Sequence, residues 1–122
     1  MRLNNKITIV TGGASGFGAG IVKKFVEHGA KVIIADINFD LAYEVANLYG
    51  ENAYPLKIDV SNDSDIKKMI DVTIEKFGKV DILIQNAAIG MKPKSLIETS
   101  EKEFDMLFRV NVKSVFLGAK RV

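Results

Sequence analysis

Five of the ten glycines in the 122-residue chain fall in the run Thr11-Gly12-Gly13-Ala14-Ser15-Gly16-Phe17-Gly18-Ala19-Gly20. A β-branched run, Ile7-Thr8-Ile9-Val10, precedes them, and helically spaced apolar residues Ile21, Val22, Phe25 and Val26 come after. Glycines between a strand and a helix let the backbone turn tightly and approach a ligand. The helix start adds N–H donors and the positive end of its dipole, so the chemistry suited to this place is phosphate binding. Two familiar spacings do not fit. G-x-G-x-x-G needs a glycine where Ile21 stands, and G-x-x-x-x-G-K-[ST] needs a lysine where Ala19 stands. A merely flexible turn is the plain alternative, but glycines at a helix start cost stability that packing alone does not require.

The other reactive side chains are sparse. There is no cysteine, so no disulfide framework and no thiolate metal site. Asp63, Asp65, Asp71 and Asp81 have no metal-ligand spacing, and His28, the only histidine, reads as a dipole partner at the end of the first helix. Tyr43, Tyr49 and Tyr54 lack the basic context of a nucleic-acid platform. Seventeen basic residues against fifteen acidic ones leave a net charge of +2, scattered too evenly for a general polyanion binder. No apolar run approaches the roughly 18 residues of a membrane span, and the first five residues are too polar for a secretory signal. A cytoplasmic globular protein with no nucleic-acid or membrane partner is the expectation.

The elements that must position the loop alternate. Strands are expected at Ile7–Val10, Lys31–Ala35, Tyr54–Ile58 and Val80–Ile84, with Pro55 placing the third at an edge. The first helix begins near Gly18. The second runs from Asn38 to about Tyr49 on a stripe of Leu41, Val45 and Leu48. The third, capped by Ser61 or Asn62, carries Ile66, Met69, Ile70, Ile74 and Phe77, with Gly78 as its stop. Ser100 with Glu103 forms a capping box that opens a fourth helix running to the chain end. Alternation of this kind implies an α/β fold: a doubly wound parallel sheet of the Rossmann type in the order 3-2-1-4. A ligand is then expected above the carboxyl ends of strands one and four, near Gly12 and Asn86.

The run Thr11-Gly12-Gly13-Ala14-Ser15-Gly16-Phe17-Gly18 resembles the T-G-x-x-x-G-x-G signature of the short-chain dehydrogenase/reductases, and the resemblance continues in order from Lys6 onward. It implies that Thr11, Gly12, Ser15, Gly16, Phe17 and Gly18 hold a dinucleotide. Asp36, with Ile37 beside it, would accept the ribose hydroxyls of the adenosine half and repel a 2′-phosphate. No Lys or Arg occurs from Thr11 to Val22 or from Ala35 to Tyr54, which points to NAD rather than NADP. Asp59 would bond the adenine amino group with Val60 packed nearby, and a helix-entry acid preceding the Ser61 cap is nearly as good a local reading. Gln85-Asn86-Ala87-Ala88 resembles the family's Asn-Asn-Ala-Gly, with Gln85 and Ala88 as departures. The resemblance lays Asn86, Ala87 and Ala88 along the cofactor.

In the fourth helix Phe104, Leu107, Phe108, Val112, Val115 and Phe116 read as the buried stripe, and Asn111 falls inside it. A buried amide needs partners. A neighbouring backbone group could serve; the resemblance instead makes Asn111 the residue that holds a water in a proton relay. The family's acid/base tyrosine, followed four residues later by lysine, is not found. Tyr43, Tyr49 and Tyr54 are followed at that spacing by Asn47, Ala53 and Ile58. The expectation is therefore one unit, residues 1–122, forming the NAD-binding part of an enzyme that interconverts a secondary alcohol and a ketone. The catalytic half is missing and the chain alone is inactive. A non-catalytic nucleotide-binding or regulatory module is the rival. The unpaired edge of the fourth strand, and a fourth helix that packs between subunits in relatives, imply a homo-oligomer, a dimer or tetramer in the parent. Only Ile89–Lys94 could touch substrate, and that loop expresses no chemical preference.

Overall fold

The computed structural model describes residues 1–122. Four parallel strands form one sheet in the order β3-β2-β1-β4: β1 (Ile7–Thr11), β2 (Lys31–Asp36), β3 (Ala53–Lys57) and β4 (Ile82–Gln85). The register sets Ile9 beside Ile33 and Leu83, and Pro55 beside Ile34. As an edge strand, β3 tolerates a residue with no N–H to donate.

Successive strand residues point to opposite faces, and both faces are covered, which explains the unbroken apolar runs of β1 and β2. On one face Ile9, Ile33, Leu56 and Ile58 meet Ile66, Met69 and Ile70 of α3 (Asp63–Phe77). On the other, Val10, Val32 and Ile34 meet Val22 of α1 (Gly16–Glu27) and Ala42 and Ala46 of α2 (Phe39–Asn47). Ile9, Ile33 and Ile34 are 0% exposed, and burial of each such side chain is worth about 1.5–3 kcal/mol.

Local chemistry sets the helix ends. Asn38 caps α2 by accepting the Leu41 N–H, and Asn62, rather than Ser61, caps α3 by accepting that of Ser64. Gly78 closes α3 at φ 82°, a left-handed angle that favours glycine. The expected boundaries shift by a residue or two: α1 starts at Gly16, β1 and β2 extend to Thr11 and Asp36, and Val80 lies outside β4. Two stripe residues are misplaced. Leu48 and Ile74 are exposed, while Ala42, Ala46 and Thr73 take the buried positions. Small residues let α2 lie close to the sheet, and Thr73 satisfies its hydroxyl on the Met69 carbonyl.

The expected fourth helix is interrupted. α4 (Glu101–Phe108) passes through a π-helical turn at Arg109–Lys113 into α5 (Ser114–Arg121). Its N-terminal capping box is as expected, with Ser100 Oγ accepting the Glu103 N–H at 3.1 Å. The expected apolar stripe is not the buried face. Phe104, Phe108, Val112, Val115 and Phe116 are all exposed, and the buried residues are Val110, Ser114 and Gly118. A π turn holds one more residue than an α turn, so it rotates α5 about the helix axis relative to α4. The close approach of α5 to β4 then requires a small residue: a Cβ on Gly118 would overlap the Gln85 side chain.

Candidate functional site

Above the carboxyl ends of the strands lies a cleft of about 390 Å³. Gly12, Ser15 and Phe17 contribute from the loop after β1, Ala35, Asp36 and Ile37 from the end of β2, and Ile58, Asp59 and Val60 from the end of β3. Asn86, Ala87, Ala88 and Ile89 close it from the end of β4, with Val110 of the π turn behind them. Its position is the switch point between β1 and β4, where the sheet order reverses and the loops part.

The glycine loop is shaped by its neighbours. Gly12 has φ +63°, and a Cβ there would lie 3.0 Å from the Ala87 backbone and the Asn86 amide. A Cβ on Gly18 would overlap the Gly12 carbonyl outright. These two glycines let the loop, the helix start and the β4 end come together. Asn86 Nδ2 donates to the Thr11 and Gly12 carbonyls at 3.1 and 3.2 Å. Thr11 Oγ1 accepts the N–H groups of Asn86 and Ala87 at 3.0 and 3.1 Å. Ser15, the residue before α1, makes no side-chain cap bond, and α1 has no acid in its first turn. The N–H groups of Gly16, Phe17 and Gly18 therefore meet no acceptor within the chain and remain available to an anion.

Two carboxylates face the cleft from the strand ends. Asp36 accepts backbone N–H groups on both oxygens, from Ala14 at 3.1 Å and Asn38 at 3.0 Å. Asp59 Oδ1 accepts the Ser61 N–H and hydroxyl at 2.9 and 2.7 Å. No lysine or arginine lines the cleft. The displaced titrations lie elsewhere. Arg121 at the end of α5 forms a bidentate pair with Asp63 at the start of α3, lowering the carboxyl and raising the guanidinium. Lys94 lowers Glu103 in the same way. No group of three or more His, Cys, Asp or Glu is gathered as a metal site.

Ten of the residues expected from the sequence line the cleft: Gly12, Ser15, Phe17, Asp36, Ile37, Asp59, Val60, Asn86, Ala87 and Ala88. Thr11, Gly16 and Gly18 do not line it; they shape the loop that does. Ala35, Ile58 and Val110 line it without having been singled out, and Ile89, expected only as the start of a substrate-side loop, lines it too. The first two stand immediately before the strand-end acids, which is a usable signal. Val110 has none, because the π turn brings it there.

Asn111 departs from its expected burial. It is exposed, and its amide binds the Ile89 backbone twice: Oδ1 accepts the N–H at 2.9 Å and Nδ2 donates to the carbonyl at 2.8 Å. The partner of the Asn111 amide is thus a backbone group brought close in space. Gln85 makes a similar link, with Nε2 donating to the Val115 carbonyl at 3.1 Å. Both side chains tie the end of β4 to the broken helix.

A cleft over a glycine-lined helix start, with an acid at the end of the neighbouring strand, has the shape of a dinucleotide site. The comparisons agree with that geometry. The family model for short chain dehydrogenase matches residues 6–122. The chain is 43% identical over 98% of its length to "Short chain aldehyde dehydrogenase 1" of Euphorbia lathyris, of which it covers 42%. It is also 43% identical to "Tropinone reductase-like 1" of Erythroxylum coca, again over 98% of the chain and covering 45% of that protein. Among solved structures, the 3-ketoacyl-(acyl-carrier-protein) reductase from Brucella melitensis complexed with NADH superposes with a TM-score of 0.94 at 39% identity. That match covers 98% of this chain and 49% of the reductase. The chain thus spans less than half the length of these relatives, and it belongs to the short chain dehydrogenase family.

Proposed function

We propose that residues 1–122 form the NAD-binding part of an oxidoreductase that interconverts a secondary alcohol and a ketone. The observation that carries this reading is the start of α1, where three N–H donors without acceptors adjoin a cleft walled by Asp36. Bound nicotinamide supplies hydride transfer. The chain's own residues bind and orient it. The first-turn N–H groups and the helix dipole take the diphosphate. Asp36 keeps further lone pairs on both oxygens for the ribose hydroxyls and disfavours a 2′-phosphate, and the cleft holds no cation that would welcome one. Asp59 Oδ2 accepts from the adenine amino group, with Val60 and Ile37 beside it. Asn86, Ala87 and Ala88 lie along the nicotinamide side. Asn111 orders the Ile89 backbone and, through it, a water of the proton relay.

None of the three tyrosines is followed four residues later by lysine, so the 122-residue chain alone is expected to turn over no alcohol. Homo-oligomer formation is inferred from the exposed apolar face of α4 and α5, where Phe104 and Phe116 are 60% and 62% exposed. A cytoplasmic location completes the reading; no helix is long and apolar enough to cross a membrane. Calorimetric titration with NADH and NADPH tests the cofactor, and tighter binding of NADPH would overturn it. Turnover above background by the purified chain, across a panel of secondary alcohols with NAD, would refute the expected inactivity.

A further inference from the structure

Three side chains hold the loop between β1 and α1. Two are neutral and lie on the β4 side: the Asn86 amide and the Thr11 hydroxyl. The third is charged and comes from the opposite side, where Asp36 Oδ2 accepts the Ala14 N–H at 3.1 Å. Ala14 is 3% exposed, and its N–H has no other acceptor in the chain. A buried N–H left without a partner is costly, so this bond constrains the loop strongly. Gly13 leaves little room for adjustment: a Cβ there would already lie 3.0–3.3 Å from the Val10 carbonyl and the Ile34 and Val22 side chains. Asp36 is itself fixed, because its other oxygen accepts the N–H of Asn38, the cap of α2.

We infer that Asp36 is a positioning residue for the phosphate-receiving loop, over and above a ribose contact; this rests on the cofactor reading of the cleft. Ala14 is joined through Ser15 alone to the helix start, so holding its N–H sets the direction of the Gly16, Phe17 and Gly18 donors. A ribose acceptor acts only on ligands that carry a ribose, whereas a loop clamp acts on any ligand of those donors. For a bare anion the two roles have opposite sign. Removing a nearby negative charge favours the anion by Coulomb's law, and releasing the loop disfavours it.

Inorganic pyrophosphate, which has no ribose, separates them. The 122-residue chain, Asp36→Ala and Asp36→Asn are titrated with pyrophosphate, and amide exchange at Ala14 is followed by NMR without ligand. Asp36→Ala is expected to bind pyrophosphate at least about fivefold more weakly and to exchange Ala14 roughly tenfold faster. Asp36→Asn keeps one oxygen for the Ala14 N–H, gives up the acceptor for Asn38 and loses the charge; it is expected to hold Ala14 exchange within about twofold and to bind pyrophosphate at least as tightly as the unaltered chain. Should Asp36→Ala not fold, Asp36→Ser, too short to reach Ala14, carries the same comparison. Equal or tighter pyrophosphate binding by these short variants, or unchanged Ala14 exchange, would overturn the inference. If the unaltered chain binds neither pyrophosphate nor NADH while Ala14 exchange still accelerates in Asp36→Ala, the cofactor reading fails and the clamp stands.

Discussion

Every residue of β1 is buried, as are Val32 to Ala35 of β2, whereas all four residues of β4 are only half-buried and α4 has no buried residue. The two regions are held by different means. Around β1 and β2, burial on both faces dominates, and side-chain hydrogen bonds refine the loop above. Around β4, α4 and α5, the chain buries little apolar surface, and position depends on side-chain links to backbone: Gln85 to Val115, Asn111 to Ile89, Ser100 to Glu103. A region of the first kind can order itself. One of the second kind presents apolar side chains that gain stability only when something else covers them.

The largest expected effect lies in the first region. Ile33→Ala should destabilise the chain by about 2–5 kcal/mol in urea unfolding, because it opens a cavity in a close-packed layer. A similar loss from Phe116→Ala would break the contrast, since that exposed change is expected to stay within about 0.5 kcal/mol. Next is Gly18→Ala, whose Cβ meets the Gly12 carbonyl; a cost of about 1–3 kcal/mol and loss of NADH binding by calorimetry are expected. In the second region Ser100→Ala should cost about 1 kcal/mol through the lost cap, read as earlier exchange of the first α4 amides than of β1. Phe116→Glu should leave unfolding of the dilute chain nearly unchanged while abolishing the self-association proposed for this face in sedimentation, which sharpens the view of α4 and α5 as a surface open to cover.

A smaller effect is expected from pH. Asp81 accepts the Ile7 N–H and pairs with Lys79, which together hold its carboxyl below the ordinary value of 3.8. A carboxyl depressed in the folded state stabilises fully above its unfolded pKa, and that contribution is lost as pH falls through the folded value. Asp81→Asn should therefore lower stability at neutral pH and flatten the acid limb, so that its unfolding curve converges with that of the unaltered chain below about pH 4.

Much of the site was legible because its signals are local. A β-branched run followed by glycines marks a strand–loop–helix unit, and Asp36 and Asp59 stand where apolar runs end, so the strand ends could be located without a structure. The final helix was not legible in the same way. Its apolar residues describe a coherent stripe only if the helix is unbroken, and the π turn at Arg109–Lys113 leaves that stripe exposed. Nor could Asn111 be placed, since its partner Ile89 lies 22 residues away in sequence.

By itself the sequence determined the four strands and the first three helices, the proline-bearing edge, the glycine turn and the acids beside it. These arise from periodicity and from backbone preferences that act over a few residues. Tertiary structure decided which partners the polar groups found: Asp36 on Ala14, Asn86 on Thr11 and Gly12, Gln85 against Gly118. It also decided which side of α5 faces the sheet. Such pairings join residues from 22 to 75 positions apart. They exist only once the packing of β1 against β2 and β4 has brought the strand ends to one rim, where each buried N–H and carbonyl must find its acceptor or donor among whatever lies there.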